Sequence, residues 1–321
     1  MRDDKNIKIL KDAVEGHTFI RHVSKHLNPD GSFDIDGSLK LWNHGMEPFE
    51  KIKLWEVTPG FDKAAPLQEE PYIVFVPAPK ESEIKSTIIV AHGGGFMTRT
   101  GCEGVNVAWA FHKAGYNTAI LNYRLLPYSR LDSMADMQRA IRFLRAHKEE
   151  LGINDTIILM GFSAGAMLSG NCATHYDMGD KESVDTVERY SSKPDAVVMS
   201  YGAMSSVSFP VPFGMDPNTP DMFGRDAKEK YYLAPEKHIT PNTPPMFIWQ
   251  TLSDDGRHGM CLAKALQDAG VPYELHIFEG GVHGLALADG ENDLAENVPH
   301  VNRWVELCLE WFELHQLDKT N

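Results

Sequence analysis

Eight short apolar runs, rich in β-branched residues, alternate with helical patterns along most of this 321-residue chain. Few architectures accommodate such an alternation. The runs are IKLWEV (52–57), PYIVFVP (71–77), STIIVAH (86–92), YNTAILNY (116–123), DTIILMG (155–161), DAVVMSYG (195–202), PMFIWQT (245–251) and YELHIFE (273–279). Helical periodicity occupies about 104–114, 129–148, 163–176 and 257–269, and again 298–315 after the last run. Several runs are apolar without a polar alternate, as in a parallel sheet covered by helices on both faces. The first two runs have only a loop between them, so they pair antiparallel. The expectation is an α/β fold with a mostly parallel, eight-stranded sheet.

Two stretches interrupt the pattern. Residues 1–50 begin with a helical segment and pass through DGSFDIDGS, whose Gly, Asp and Ser crowding reads as turns. They are taken as an N-terminal extension and candidate cap, with 51–321 as the main domain. Residues 203–244 carry Phe209, Pro210, Val211, Pro212, Phe213, Met215, Phe223, Tyr231 and Tyr232. So much apolar material in a long irregular segment reads as a lid or pocket wall, the alternatives being a packed surface excursion or an oligomer face.

Charge narrows the partners. With 31 Lys+Arg against 45 Asp+Glu the net charge is −14, which repels nucleic acid and anionic lipid. The opening MRDDKNIKIL lacks the apolar core of a signal peptide, and no stretch approaches the roughly 18 apolar residues of a membrane span. A cytoplasmic protein is expected. Cys102, Cys172, Cys261 and Cys308 stand far apart with no CxxC pair, which predicts free thiols and neither a zinc site nor a disulfide framework. Neither metal nor organic cofactor is expected.

Chemistry concentrates at the ends of the apolar runs. Gly161-Phe162-Ser163-Ala164-Gly165 follows IILM directly and opens a helical pattern. A strand-to-helix turn needs tiny neighbours on both sides of its central residue, and lifts Ser163 to a helix N-terminus that favours developing negative charge. Ser163 is therefore the candidate nucleophile, the alternative being a helix N-cap. His92-Gly93-Gly94-Gly95-Phe96 follows the third run, and its glycines free backbone amides to face an oxyanion. The Lys-Ser/Thr ending of a nucleotide loop is absent. His92 itself reads as a structural histidine.

A serine hydroxyl needs an imidazole to take its proton, and the imidazole needs a carboxylate to orient it. Of 14 histidines, His283 sits in Glu279-Gly280-Gly281-Val282-His283-Gly284 just past the last run, where α/β sheets place ligands. The acid should follow the seventh run, and Ser253-Asp254-Asp255 stands there. Asp254 is the first carboxylate past the strand. Asp255 remains the alternative, and either also suits a helix N-cap.

In chain order these parts read oxyanion loop, serine, aspartate, histidine, the order of the α/β-hydrolase fold. HGGGF, Asn122-Tyr123-Arg124-Leu125-Leu126-Pro127 and GFSAG together resemble the esterases related to hormone-sensitive lipase and the small bacterial acetyl and carboxyl esterases, over about 70–315. The resemblance implies an α/β-hydrolase fold with Ser163, Asp254 and His283 as triad. It also implies an oxyanion hole of the Gly94, Gly95 and Ala164 amides, with Tyr123 and Arg124 as supports. The acid loop, SDDGRHG, departs from the hormone-sensitive-lipase pattern because Asp255 stands where proline is usual. The run from Trp249 through the two aspartates looks closer to esterases that deacetylate sugars.

The resulting expectation is a serine carboxylesterase acting on small acyl esters, with acetyl groups on sugars or xylan fragments as substrate. The same triad also suits a feruloyl esterase, an arylformamidase or a peptidase. A reading of another class is a non-catalytic binding protein on a hydrolase scaffold.

Overall fold

Each of the eight apolar runs forms a strand in the computed structural model, which describes residues 4–19, 28–30, 34–63, 65, 67–208, 220–292 and 294–318. They are β1 (Ile52–Lys53), β2 (Tyr72–Val76), β3 (Thr87–Ala91), β4 (Asn117–Asn122), β5 (Ile157–Phe162), β6 (Ala196–Ser200), β7 (Met246–Thr251) and β8 (Tyr273–Phe278). One sheet holds them in the order β1-β2-β4-β3-β5-β6-β7-β8. β2 runs antiparallel to β1 and β4, and β3 to β8 pair in parallel with their neighbours. Every residue of β2 to β7 is buried, as the continuous apolar runs required; the edge strands β1 and β8 are more open, with β8 half-buried up to Phe278.

The principal helices are α1 (Lys5–Glu15), α2 (Ile35–Met46), α3 (Val107–Lys113), α4 (Arg130–Ala146), α5 (Ala164–Thr174), α6 (Arg257–Ala269) and α7 (Trp304–Leu314). Their ends follow local chemistry. Ser129 and Asp132 form a reciprocal capping box that starts α4, and Gly270 at φ 71° ends α6. The structure differs from expectation at several points: a wider turn, Cys102–Asn106, precedes α3; the last pattern breaks at Arg303 into Pro299–Asn302 and α7; Ile35–Ser38, read as turn, instead open α2 because the Asp34 side chain caps the Gly37 amide; and the described part of the 203–244 stretch holds short helices at Pro220–Phe223 and Ala227–Tyr232. Phe209, Pro210, Val211, Pro212, Phe213 and Met215 lie outside the described residues.

Alternate strand residues feed two cores. Ile89, Leu159, Val197 and Ile248 meet Met137, Ile141 and Leu144 of α4, Leu168 of α5 and Leu262 of α6. On the other face Val90, Ile120, Met160 and Phe247 meet Phe111 of α3 and Trp304 and Phe312 of α7. The described part of the first 50 residues is built into this second layer through Leu10, Trp42, Met46 and Phe49. Asn6 pins α1 there, its amide donating to the Phe75 carbonyl at 3.0 Å. Among the described residues no helix is long and apolar enough to cross a membrane.

β5 must turn into α5 through a single residue while α5 presses on the end of β3. A Cβ on Gly161 would stand 2.1 Å from the Gly165 carbonyl oxygen, and one on Gly165 would stand 2.1 Å from that of Ala91. Both obstacles are backbone, which cannot swing aside. Gly165→Ala is therefore expected to cost about 3 kcal/mol or more. Gly270→Ala, left-handed but with nothing near its Cβ position, should cost about 1 kcal/mol. Urea denaturation of the two variants measures the difference, and equal losses would contradict this account of the turn.

Candidate active site

The C-terminal ends of β3, β5, β6, β7 and β8 deliver the pieces of one site. Ser163 sits between β5 and α5 at φ 51°, ψ −114°, a left-handed conformation costly for a residue with a side chain. Its amide donates to the Ser200 carbonyl at 2.9 Å, which ties the turn to β6. Its hydroxyl caps no helix amide. Instead Ser163 Oγ lies 2.9 Å from His283 Nε2.

The far side of that ring meets Asp254, with Nδ1 2.7 Å from Oδ1. A carboxylate can only accept, so Nδ1 carries the proton and Nε2 presents its lone pair to the serine hydroxyl. Asp254 is fully buried; its Oδ2 accepts from the Thr251 amide at 2.8 Å and the Thr251 hydroxyl at 2.7 Å. Asp255 turns away. At φ 55° its carboxylate grips Arg257, whose guanidinium holds it below the usual carboxylate range. Arg257 thus pairs with the second aspartate, and it is Asp254 that the fold brings to His283.

The glycine loop lies beside the serine. His92 is fully buried, donates from Nδ1 to the Gly93 carbonyl at 2.7 Å, and stacks on Tyr123 at 4.4 Å. The Tyr123 hydroxyl donates to the His92 carbonyl at 2.7 Å. Burial, followed by the Arg99 charge, pushes the His92 pKa down to about 3, so this ring stays neutral and structural. Gly94 and Gly95 have φ of 113° and 62°. Among the described residues no group accepts from the amides of Gly94, Gly95 or Ala164. The insertion before β7 reaches this loop, since the methyl of Met222 would stand 3.1 Å from a Cβ on Gly95.

Arg124 is buried just past β4. Its side chain is 2% exposed and forks onto fully buried Asp136 at 2.7 Å, while Nη1 donates to the Pro59 carbonyl at 2.7 Å. Asp136, Glu103, Arg130 and Tyr201 escaped sequence reasoning. The signal for Asp136 was an acid one turn before Ala140, on the buried stripe of α4. Glu103 stands as a lone acid in the apolar stretch CEGVNVAWAF. Arg130 packs its guanidinium 4.1 Å from the Phe96 ring centre and donates to the Met222 carbonyl, clamping the insertion to the glycine loop. No local pattern marked Arg130 or Tyr201.

A mostly parallel sheet with a serine on a strained strand-to-helix turn, a histidine beyond the last strand and an acid beyond the seventh defines an α/β-hydrolase. The BD-FAE family matches residues 74–266, and the chain belongs to it: an esterase of the α/β-hydrolase fold. A structure described as an acetyl ester-xyloside bifunctional hydrolase from Caldicellulosiruptor lactoaceticus is 33% identical, with a TM-score of 0.73 over 84% of this chain and 97% of that one. The carboxylesterase Cest-2923 from Lactobacillus plantarum, 22% identical with a TM-score of 0.65 over 78% of this chain and 94% of its own, shares the fold. Endo-1,4-beta-xylanase B of Butyrivibrio fibrisolvens is 30% identical over 220 residues, 64% of this chain. The chain spans only 33% of that protein's length.

The neutral, buried His92 carries a pH consequence. Unfolded, a histidine takes up a proton near pH 6.5; folded, His92 does so only near pH 3. Its depressed pKa means that stability present above pH 6.5 is lost as pH falls through that window, at about 1.4 kcal/mol per pH unit. His112 and His258, also shifted down chiefly by burial, act in the same direction. The urea midpoint is expected to fall between pH 7 and pH 5; an unchanged or higher midpoint at pH 5 would contradict the neutral buried ring.

Proposed function

We propose that this chain is a serine carboxylesterase in which Ser163 is the nucleophile, His283 the general base and Asp254 the orienting acid. The observation that carries the reading is the unbroken line of contacts from Ser163 Oγ to His283 at 2.9 Å and on to Asp254 at 2.7 Å. Ser163 Oγ attacks the ester carbonyl carbon as its proton passes to His283 Nε2, and Asp254 stabilises the imidazolium that results. The amides of Gly94, Gly95 and Ala164 receive the oxyanion, each such donor being worth about 2.7–4 kcal/mol of barrier. Collapse expels the alcohol, which leaves with the proton from Nε2. Water then attacks the acyl-enzyme by the same route, releasing the acid and restoring the serine.

For the substrate we infer small acyl esters, with acetyl groups on sugars or xylan fragments preferred. Two considerations support this: the C. lactoaceticus relative is described as an acetyl ester-xyloside hydrolase, and the partial relative from B. fibrisolvens as a xylanase. Met222, in the described part of the insertion, would stand in one wall of the acyl pocket, in line with its place at the glycine loop. Four free thiols, three of them buried, fit the reducing cytoplasm.

Ser163→Ala should retain the fold and lose nearly all hydrolysis of p-nitrophenyl acetate, and only the wild type should take a fluorophosphonate label at position 163. Asp254→Asn should lower kcat by about 10⁴-fold through the wrong histidine tautomer, whereas Asp255→Asn should leave it within about threefold. Turnover surviving in the serine variant, or the reverse ranking of the aspartates, would refute the assignment. Acetylated xylo-oligosaccharides should outpace p-nitrophenyl butyrate, methyl ferulate, an aryl amide and N-formylkynurenine; hydrolysis of the amides alone would exclude an esterase.

A further inference from the structure

The oxyanion loop and the histidine loop leave different strands, so some contact must hold their spacing. A buried carboxylate lies between them. Glu103 is 2% exposed, and among the described residues no cation forms an ion pair with it. Such a group is costly to keep unless hydrogen bonds replace its lost water. Three neutral donors converge on it: the Gly93 amide at 2.8 Å and the Thr100 hydroxyl on Oε2, and the Tyr201 hydroxyl at 2.7 Å on Oε1.

Tyr201 continues the line. Its oxygen accepts from the amide of Ala286, three residues beyond His283, at 2.9 Å. Its ring stands edge-on to the His283 imidazole, centres 5.1 Å apart and planes at 70°. Tyr201 also holds a left-handed φ of 41°, strain that usually marks a functional site. At the other end, a Cβ on Gly93 would lie 2.9 Å from Ser163 Cβ, so the residue that Glu103 grips abuts the serine.

We propose that Glu103 and Tyr201 are positioning residues that set the spacing between the oxyanion loop and the His283 loop, and so govern turnover without touching substrate. This rests on the serine-hydrolase reading above. Two acceptor oxygens at position 103 match these donors. Tyr201 has one hydroxyl proton, and since its oxygen receives the Ala286 amide, that proton goes to Glu103. A glutamine would turn an NH₂ toward at least one of the three donors, leaving one without an acceptor. Burial drives the Tyr201 pKa well up, so the phenol stays a donor throughout the working range.

The test compares wild type, Glu103→Gln, Tyr201→Phe and the double variant, with kcat and KM for p-nitrophenyl acetate expressed per folded molecule. Each single variant is expected to lower kcat about 10- to 100-fold, as a misplacement near 1 Å does, with KM within about threefold. Because the two act as one relay, the double variant should lose no more than the worse single one. A merely structural role would lower the melting temperature and leave kcat of the folded fraction unchanged, and that result would overturn the proposal. So would losses that simply multiply in the double variant. Should Glu103→Gln fail to fold, Tyr201→Phe, which removes one hydroxyl, decides by its kcat alone. A wild type that neither hydrolyses the ester nor labels at Ser163 would instead overturn the serine-hydrolase reading, and this proposal with it.

Discussion

A strand that becomes a helix through one residue leaves no space for a side chain two positions before or after it, and the rest of the site follows from that crowding. With Gly161 and Gly165 in place, α5 can approach the carbonyl of Ala91 at the end of β3. That approach brings the start of the glycine loop against Ser163, at the N-terminus of α5. The left-handed backbone of Ser163 turns its hydroxyl out of the helix cap, toward His283. A single steric demand thus joins Ser163, the glycine loop and the N-terminus of α5, the parts on which the proposed mechanism draws.

Among the described residues three acidic residues are buried, and each is kept by different means. Asp136 takes a guanidinium fork from Arg124, which locks the end of β4 to α4. Asp254 takes the imidazole of His283 and two bonds from Thr251, so the acid is fixed by the 3₁₀ turn that carries it. Glu103 takes only neutral donors. In a low-dielectric interior each arrangement holds only while every partner remains, because an unsatisfied buried carboxylate is far costlier than an exposed one.

Much of the fold was legible because its signals are local. Strand runs and helical stripes are periodicities of 2 and 3.6 residues, read within a dozen positions, and all eight strands lie where the runs are. Strand order was not legible: β4 lies between β2 and β3, a pairing across long stretches of chain that leaves no local mark. The two aspartates after β7 show the same limit within the site. Their identities differ in nothing, and only the left-handed turn at Asp255 sends one carboxylate to Arg257 and leaves the other for His283.

By itself the sequence determined the α/β class, the turn at Ser163, the glycine loop after β3 and the histidine beyond β8, since each is written in neighbouring residues whose backbone needs admit few solutions. Tertiary structure alone decided that Asp254 and not Asp255 meets the histidine, that Arg124 is buried on Asp136, and that Glu103 and Tyr201 bridge two loops. Those outcomes depend on which strand ends become neighbours. That is set by the free energy of the whole packed sheet, and no short stretch of chain contains it.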